Sequence, residues 1–268
     1  MAVDLHLHTS ASDGSLTPEQ LVNKAIKLEY DAISITDHDT VSGIEPAISA
    51  AAKTSLEVIP GIEINTDYKG EQVHILGYYI NYNNKKLLNK LNELKKMRKK
   101  RAKKIVKKLN QLGIKLKFKD VLKIAKSDVI SRTHIATLLI KKDYVDSWEE
   151  AFDEYIGINS PAYVTRKKMT SVQAIKLIKK IGGKSVLAHP GLINKMDVIK
   201  EIIDMGIDGL EVFYYEHDPD QINKFKKISK KNNLIMTGGS DDHGPEKKDG
   251  MRLGKIRLNY NIVEQLKS

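Results

Sequence analysis

The 268-residue sequence contains no cysteine. Disulfide bonds and thiolate metal ligands are therefore excluded, and any bound metal would have to use nitrogen and oxygen donors. No apolar run approaches the roughly 20 residues that a membrane-spanning helix needs, and the N-terminus lacks a signal-peptide pattern. From these absences we expect a soluble, cytoplasmic protein with no membrane partner.

Acidic residues are nearly absent from one segment. Residues 85–110 hold thirteen Lys or Arg and the single acid Glu93, a local charge of +12, so the rest of the chain sums to about −1. The segment could bind an RNA backbone by releasing counterions, or it could be the solvated face of an amphipathic helix. It contains no aromatic residue on which a base could stack. Both interpretations stay open, and the solvated face is slightly favoured.

Short β-branched runs alternate with amphipathic helical patterns over most of the chain, which is typical of a βα fold. The strand-like runs are VDLHLHT, AISITDH, EVIPGIEIN, VHILGYYI, GGKSVLAHP, GLEVFYY and LIMTGGS. Between about 84 and 165, helical patterns follow one another without strong strands. We therefore predict a βα unit formed by 1–84 and 166–268, with a helical insertion subdomain at 85–165.

All eight histidines lie in short motifs of a kind that metal sites use, and most are at or just after a predicted strand. His6 and His8 are two residues apart in an extended segment, so both imidazoles project from the same face of the sheet. Together with nearby acids, six of these histidines form the predicted metal-ligand set: His6, His8, Asp13, His38, Glu63, His74, His189, Asp241 and His243.

Imidazole and carboxylate groups together suit Mn²⁺, Fe²⁺ or Zn²⁺. Nine donors exceed what one ion accepts, so two or three divalent ions that share a bridging carboxylate are expected. Glu63 follows a Pro-Gly turn in an apolar strand, where a buried carboxylate without a partner would be costly. Asp37, Asp39 and Asp242 adjoin predicted ligands and are expected to support them rather than to bind metal.

The motifs DLHLHTSASDG, ITDHDT, GIEI, VHILGY, VLAHP and SDDH resemble those of the polymerase and histidinol phosphatase (PHP) family. More narrowly, the chain is similar to bacterial PHP phosphoesterases that act on nucleoside 3′,5′-bisphosphates and on the 5′ ends of short RNA. The resemblance covers residues 4 to 243. It implies an α/β fold, a distorted (β/α)₇ barrel with a helical insertion, and a trinuclear metal site at the C-terminal ends of the strands, with Mn²⁺ as the favoured metal.

The same resemblance implies how the ligands are shared. The first ion would bind His6, His8, Glu63 and Asp241, and Glu63 would bridge to a second ion bound by His74 and His189. The third ion would bind Asp13, His38 and His243. Asp241 is preferred to its neighbour Asp242 on the alignment of the motif.

Four further side chains are candidates for substrate contact or catalysis: Arg132, His134, Arg166 and His217. Arg132 and His134 follow Ser131 at a predicted helix start, where helix amides and a cation can hold phosphate, and related PHP enzymes have an Arg and a His there. This chain has Thr133 where proline is frequent in relatives. Arg166 is a second phosphate-clamp candidate or a solvated arginine. His217 could support a metal ligand, contact the leaving group or simply begin a helix.

The resemblance implies hydrolysis of a phosphate ester of a nucleotide or short oligonucleotide by a metal-bridging hydroxide. His217, His134 and a metal-bound water are unranked candidates for the general acid. Two alternatives stay open at this point: a histidinol-phosphate phosphatase, and a non-catalytic metal-binding PHP module. The sequence leaves the oligomeric state open.

Overall fold

The computed structural model describes residues 1–125, 127–166, 168–246 and 250–268. The strands are β1 (Val3–Leu7), β2 (Ala32–Ile35), β3 (Glu57–Tyr68), β4 (Glu71–Tyr78), β5 (Met169–Thr170), β6 (Lys184–Leu187), β7 (Gly209–Tyr214) and β8 (Ile235–Gly239). The helices are α1 (Pro18–Lys27), α2 (Ile44–Ala51), α3 (Lys85–Gln111), α4 (Phe118–Ala125), α5 (Arg132–Ile140), α6 (Trp148–Glu150), α7 (Ser171–Lys180), α8 (Met196–Asp204), α9 (Pro219–Lys231) and α10 (Asn261–Lys267). A π-helical turn spans Ala151–Ile156 and a 3-10 turn spans Pro190–Leu192.

Seven strands follow one another around a barrel in the order β1-β2-β3-β4-β6-β7-β8, and the short β5 pairs with β3. Pairing is parallel except along β4, which is antiparallel to both β3 and β6. The barrel is nearly closed where Leu7 forms a parallel bridge with Asp242 and the His8 amide donates to the Asp242 carbonyl at 2.9 Å. The predicted distorted (β/α)₇ barrel is thereby confirmed, and the antiparallel β3–β4 hairpin is its main distortion.

Helix boundaries follow local capping chemistry. Thr17 and Thr170 each form a capping box, in which the hydroxyl accepts from the backbone amide of the glutamine three residues on, a pattern visible in the sequence as Thr-x-x-Gln. Asp218 forms a third box at the start of α9. The last helical pattern of the predicted insertion, residues 147–156, is not a regular α-helix: only Trp148–Glu150 is α-helical, and a wider π-helical turn follows. There the Ser160 hydroxyl donates to the carbonyls of Phe152 and Asp153, which stabilises the widened turn.

The long helix α3 joins two apolar clusters. Leu87, Leu91 and Leu94 pack in the main barrel cluster, whereas Ile105 and Leu109 pack with α4, α5 and the segment after them. A helix with an apolar stripe along its whole length can serve two cores in this way. No helix in the described ranges is long and apolar enough to cross a membrane.

Candidate metal centre

The nine predicted ligands come from separate parts of the chain and converge at one end of the barrel. His6 lies on β1, Glu63 on β3 and His74 on β4. The others lie in loops: His8 and Asp13 follow β1, His38 follows β2, His189 follows β6, and Asp241 and His243 follow β8. Because neighbouring strands of a barrel bring their ends together, residues far apart in sequence become neighbours here.

Glu63 lies at the centre of the cluster and is fully buried. Its Oε2 is 2.7 Å from His38 Nδ1, 3.3 Å from His8 Nε2 and 3.5 Å from His6 Nε2. Its Oε1 is 2.8 Å from His74 Nδ1 and 3.1 Å from His189 Nε2. One carboxylate that faces five imidazoles has the arrangement expected of a bridge between metal ions.

Three groups of side chains place one donor atom each within 4.8 Å of the others. The first group is His6, His8, Glu63 and Asp241; the second is His38, Glu63 and His74; the third is His8, Asp13, His38 and His243. The first group coincides with the set expected for the first ion. His8 and His38 each belong to two groups, and His189, expected at the second ion, belongs to none of them although it contacts Glu63. The structure thus brings the predicted ligands together but does not divide them among ions as the family resemblance implied.

Several donor atoms in the cluster are buried and have no hydrogen-bond partner in the described part of the chain. They are His6 Nε2, both ring nitrogens of His8, Asp13 Oδ1, Glu63 Oε2 and His74 Nε2. Buried polar atoms without partners are costly and therefore rare. Imidazole nitrogens and carboxylate oxygens are also the donors that Mn²⁺, Fe²⁺ and Zn²⁺ accept. The side chains present therefore fit divalent metal ions.

In the metal-free cluster, burial and neighbouring charges shift the pKa values of several predicted ligands. Burial opposes ionisation of Glu63, but His38, His74 and His6 outweigh it and hold its pKa well below the usual range. Burial lowers the pKa of His74 to about 4, so this imidazole is neutral. Burial also disfavours protonated His8, yet Asp241 and Glu63 raise its pKa to about 10. Binding a metal at His8 would therefore release a proton.

A second layer of side chains holds the ligands in place, and Glu211 is its main member. One Glu211 oxygen is 2.9 Å from His6 Nδ1, and the other accepts a 2.7 Å hydrogen bond from the His189 amide. Sequence reasoning missed this residue, because GLEVFYY resembles an ordinary buried strand. The only signal was an acid at a position where its neighbours predict full burial.

The acids beside His38 support two different parts of the site. Asp37 accepts hydrogen bonds from the Thr9 amide, the Thr9 hydroxyl and the Ser12 hydroxyl, and so holds the loop that carries Asp13. Asp39 is fully buried and binds the guanidinium groups of Arg98 and Arg166. Asp37 therefore supports the loop of a predicted ligand, as the sequence suggested, whereas the Asp39 side chain holds two arginines and the Asn65 amide rather than a predicted ligand.

A cavity of about 530 Å³ opens beside the cluster. Its lining includes the predicted ligands Asp13, His38 and His74 and the predicted phosphate contacts Arg132 and Arg166. The Arg132 guanidinium donates to the Ile156 carbonyl at 3.1 Å and lies 5.0 Å from the centre of the Phe152 ring. The structure therefore places both arginines where a substrate bound at the cluster could meet them.

His134 and His217 lie near the site but are held by backbone groups. The His134 Nδ1 accepts from the Ser131 amide at 3.2 Å, which caps α5, and the side chain lines a separate cavity of about 130 Å³ that also includes Asp13. The His217 Nδ1 donates to the Val212 carbonyl, and its Nε2 accepts from the Gly191 amide, each at 3.0 Å. Burial lowers the pKa of His217. The general-acid role of either histidine stays a prediction.

The family model described as PHP domain matches residues 4–164, more than half of the chain. This protein belongs to the PHP family. Its relatives include a protein from Escherichia coli named 5′-3′ exoribonuclease Rnm, 31% identical over 90% of this chain and 85% of the relative. Another, from Chromobacterium violaceum, is named 3′,5′-nucleoside bisphosphate phosphatase and is 30% identical over 91% of this chain and 87% of the relative.

A solved structure supports the same assignment. A protein from Bifidobacterium adolescentis, described as a metal-dependent phosphoesterase, superposes with a TM-score of 0.90 at 29% identity, covering 98% of this chain and 94% of that one. The barrel, the side-chain cluster and these relatives agree. The chain is a PHP-family metal-dependent phosphoesterase, and hence a hydrolase.

Proposed function

We propose that this PHP phosphoesterase hydrolyses phosphate esters of nucleotides in the cytoplasm, with nucleoside 3′,5′-bisphosphates and the 5′ ends of short RNA as substrates. The observation that carries the proposal is the cavity shared by the Glu63 cluster and two arginines, Arg132 and Arg166. A phosphate ester needs cations at its oxygens, and a nucleotide offers further charge and a base to fill the remaining space. The names of the two relatives agree with this substrate class.

Two or three divalent ions, of which Mn²⁺ is favoured, would be held by the nine predicted ligands, and when bound they would activate water and offset charge on the phosphoryl oxygens. Glu63 would bridge two of the ions. Arg132 and Arg166 would orient the phosphate, because a guanidinium fork matches two phosphate oxygens at once. His134, His217 and a water molecule remain candidates for delivering a proton to the leaving oxygen.

The direct test is phosphate release by Mn²⁺-loaded protein from adenosine 3′,5′-bisphosphate, a 5′-phosphorylated short RNA and histidinol phosphate, each with an EDTA control. We expect the nucleotide substrates to be preferred and chelation to abolish the activity. Preference for histidinol phosphate would instead assign the protein to the biosynthetic branch of the family. Inactivity on all three with metal bound would favour a non-catalytic PHP module.

The substitution Glu63→Gln tests whether Glu63 belongs to a catalytic metal centre. The amide keeps the shape of the side chain but removes the negative charge that would bridge two ions. We expect kcat/KM to fall by about a thousandfold or more and the bound metal measured by elemental analysis to decrease. Glu264→Gln, an exposed change of the same kind on α10, is the control. Full activity and full metal content in folded Glu63→Gln protein would refute the assignment.

A further inference from the structure

The seam of the barrel, where β1 meets β8, is irregular on both edges of β1. The barrel order begins at β1 and ends at β8. Among the described residues, a main-chain bridge joins Leu7 to Asp242, beyond the end of β8. On the other edge, the register of β1 against β2 shifts between Asp4 and Leu7, as in a β-bulge. Bulges next to active sites commonly redirect a side chain, and this shift includes His6.

Gly239, the last residue of β8, shows how closely the two strands approach each other. A Cβ atom at this position would collide with the Cβ of His6 and would lie 2.5 Å from the His6 backbone nitrogen. Only glycine permits such a close approach of one backbone to another. The backbone of β8 therefore lies directly against the first histidine of the predicted metal-ligand set.

The side chain of Asp4 joins the two strands at this point. Its Oδ1 accepts hydrogen bonds from the His6 amide at 3.2 Å and from the Ser240 amide at 3.0 Å. A single side-chain oxygen thus has the role that a main-chain carbonyl has in a regular ladder. The two amides belong to a predicted ligand, His6, and to the residue that immediately precedes the predicted ligand Asp241.

The segments that Asp4 joins carry ligands expected to bind the same ion. Asp241 Oδ1 is 3.3 Å from His6 Nε2 and 3.0 Å from His8 Nε2. With Glu63, these three side chains form one of the groups whose donor atoms lie within 4.8 Å of one another. A metal site must hold its ligands to within about 0.5 Å of the productive geometry. The separation of β1 and β8 therefore decides whether the three side chains can share an ion.

The position of Asp4 is an unfavourable one for a carboxylate. The side chain is fully buried, and its Oδ2 has no hydrogen-bond partner in the described part of the chain. Burial raises the pKa of Asp4 to about 7, although hydrogen bonds from Ser240 and His6 act in the opposite direction. A buried acid is costly unless its contacts compensate. Here the contacts of Oδ1 lead to the two ligand-bearing segments.

We propose that Asp4 is a positioning residue of the metal centre, whose carboxylate sets the separation of β1 and β8 and thereby the spacing of His6, His8 and Asp241. Without its hydrogen bonds the seam would widen, so the barrel would form but would bind metal weakly. The inference rests on the metal centre of the proposed function and deepens it, because it adds a residue that controls the geometry of the ligands from outside their set.

Three substitutions at Asp4 and one matched control test the proposal. Asp4→Ala removes both hydrogen bonds, Asp4→Ser has an oxygen too close to the backbone to reach both amides, and Asp4→Asn keeps an acceptor oxygen of the same shape. The control is Asp208→Ala. The Asp208 carboxylate accepts from the Ser185 amide at 2.8 Å and so joins the beginnings of β6 and β7, at the end of these strands away from His189.

Titration of the metal-free proteins with Mn²⁺, followed by calorimetry, is the first measurement. We expect Asp4→Ala and Asp4→Ser to bind Mn²⁺ about 10- to 100-fold more weakly than wild type, as for other contacts that hold metal ligands. Asp4→Asn should stay within about threefold of wild type, because its oxygen can still accept from both amides. Asp208→Ala should bind as wild type does. Urea unfolding in EDTA establishes that each variant is folded, and if Asp4→Ala is not, Asp4→Ser decides.

The visible absorption spectrum of the Co²⁺-loaded proteins is the second measurement, because it reports the geometry of the ligands around the ion. The spectrum should change in Asp4→Ala and Asp4→Ser and keep the wild-type form in Asp4→Asn and Asp208→Ala. The proposal is overturned if folded Asp4→Ser has the affinity and spectrum of wild type, or if Asp208→Ala alters them equally. A wild type that binds Mn²⁺ but hydrolyses no nucleotide would refute the proposed function alone, whereas a wild type that binds no divalent ion would refute both.

Discussion

At the scale of single residues, the two buried glutamates of the centre have different contacts. Glu63 faces five imidazoles with its two oxygens, whereas Glu211 contacts the ligands from behind, at His6 Nδ1 and the His189 amide. Because Glu211 accepts from His6 Nδ1, it leaves His6 Nε2 directed at the cluster. It also holds His189, whose φ of +28° is unusual for a residue with a side chain.

Glu211→Gln is therefore expected to weaken metal binding without unfolding the protein. The amide can accept only one of the two hydrogen bonds with its single oxygen, so either His6 or His189 loses its support. Loss of such a contact typically lowers metal affinity by about 10- to 100-fold. Titration of the metal-free protein with Mn²⁺ measures the change, with Glu264→Gln as the control. An affinity equal to that of wild type would show that Glu211 does not position the ligands.

The two histidines outside the cluster, His134 and His217, show that a local sequence motif does not predict which atoms a side chain contacts. The sequence indicated that His134 and His217 lie near the substrate, and the structure places both near predicted ligands or their loops. Their ring nitrogens, however, contact backbone groups, including the Ser131 amide and the Gly191 amide. Which atom a histidine meets depends on the path of the neighbouring backbone, and that path is not visible in a local motif.

At the scale of elements, α3 separates its positive charges by face. Arg98 is buried and contacts Asp39, and Arg101 lines the cavity, whereas Lys96, Lys99 and Lys100 are exposed. The two interpretations of residues 85–110 therefore apply to different residues. Arg98 and Arg101 line the cavity, and the outer lysines Lys96, Lys99 and Lys100 are available for an RNA backbone.

We predict that the outer lysines of α3 contribute to the binding of longer RNA but not to the binding of a mononucleotide. Replacing Lys96, Lys99 and Lys100 together with glutamine should reduce the slope of log K against log salt for a 5′-phosphorylated ten-nucleotide RNA by about 2, because each lost phosphate contact on a single strand accounts for about 0.7. Affinity for adenosine 3′,5′-bisphosphate should stay unchanged. Fluorescence anisotropy at several salt concentrations checks both statements. An unaltered slope would support the solvated-face interpretation.

At the scale of the whole molecule, the metal centre is assembled from nearly the entire barrel. Its predicted ligands begin at His6 on β1 and end at His243 beyond β8. We propose that residues 85–165 form a helical subdomain attached to the barrel unit of 1–84 and 166–268. Its attachment is α3, whose first half packs in the barrel cluster and whose second half packs in the helical cluster.

Because the ligands span the barrel, metal binding should stabilise the whole fold. With free metal at about a thousand times its dissociation constant, the free energy of unfolding should increase by about 4 kcal/mol. Urea unfolding followed by circular dichroism, with Mn²⁺ and then with EDTA, measures the difference. Glu63→Gln should show a much smaller difference than wild type, and Glu264→Gln the same difference. Identical unfolding curves for wild type in the two conditions would contradict a metal site built from the strands.

The sequence by itself determined the alternation of strands and helices, the barrel and the capping boxes at Thr17 and Thr170, and it predicted the helical insertion and the nine metal-binding side chains. These features depend on local periodicity and on motifs short enough to be recognised along the chain. The tertiary structure alone decided which predicted ligands lie within 4.8 Å of one another, that Glu211 supports His6 and His189, and that Arg98 and Arg101 face the cavity while Lys96, Lys99 and Lys100 face solvent. Those relations join residues that lie far apart in sequence, and they arise only when the barrel closes and α3 packs against it.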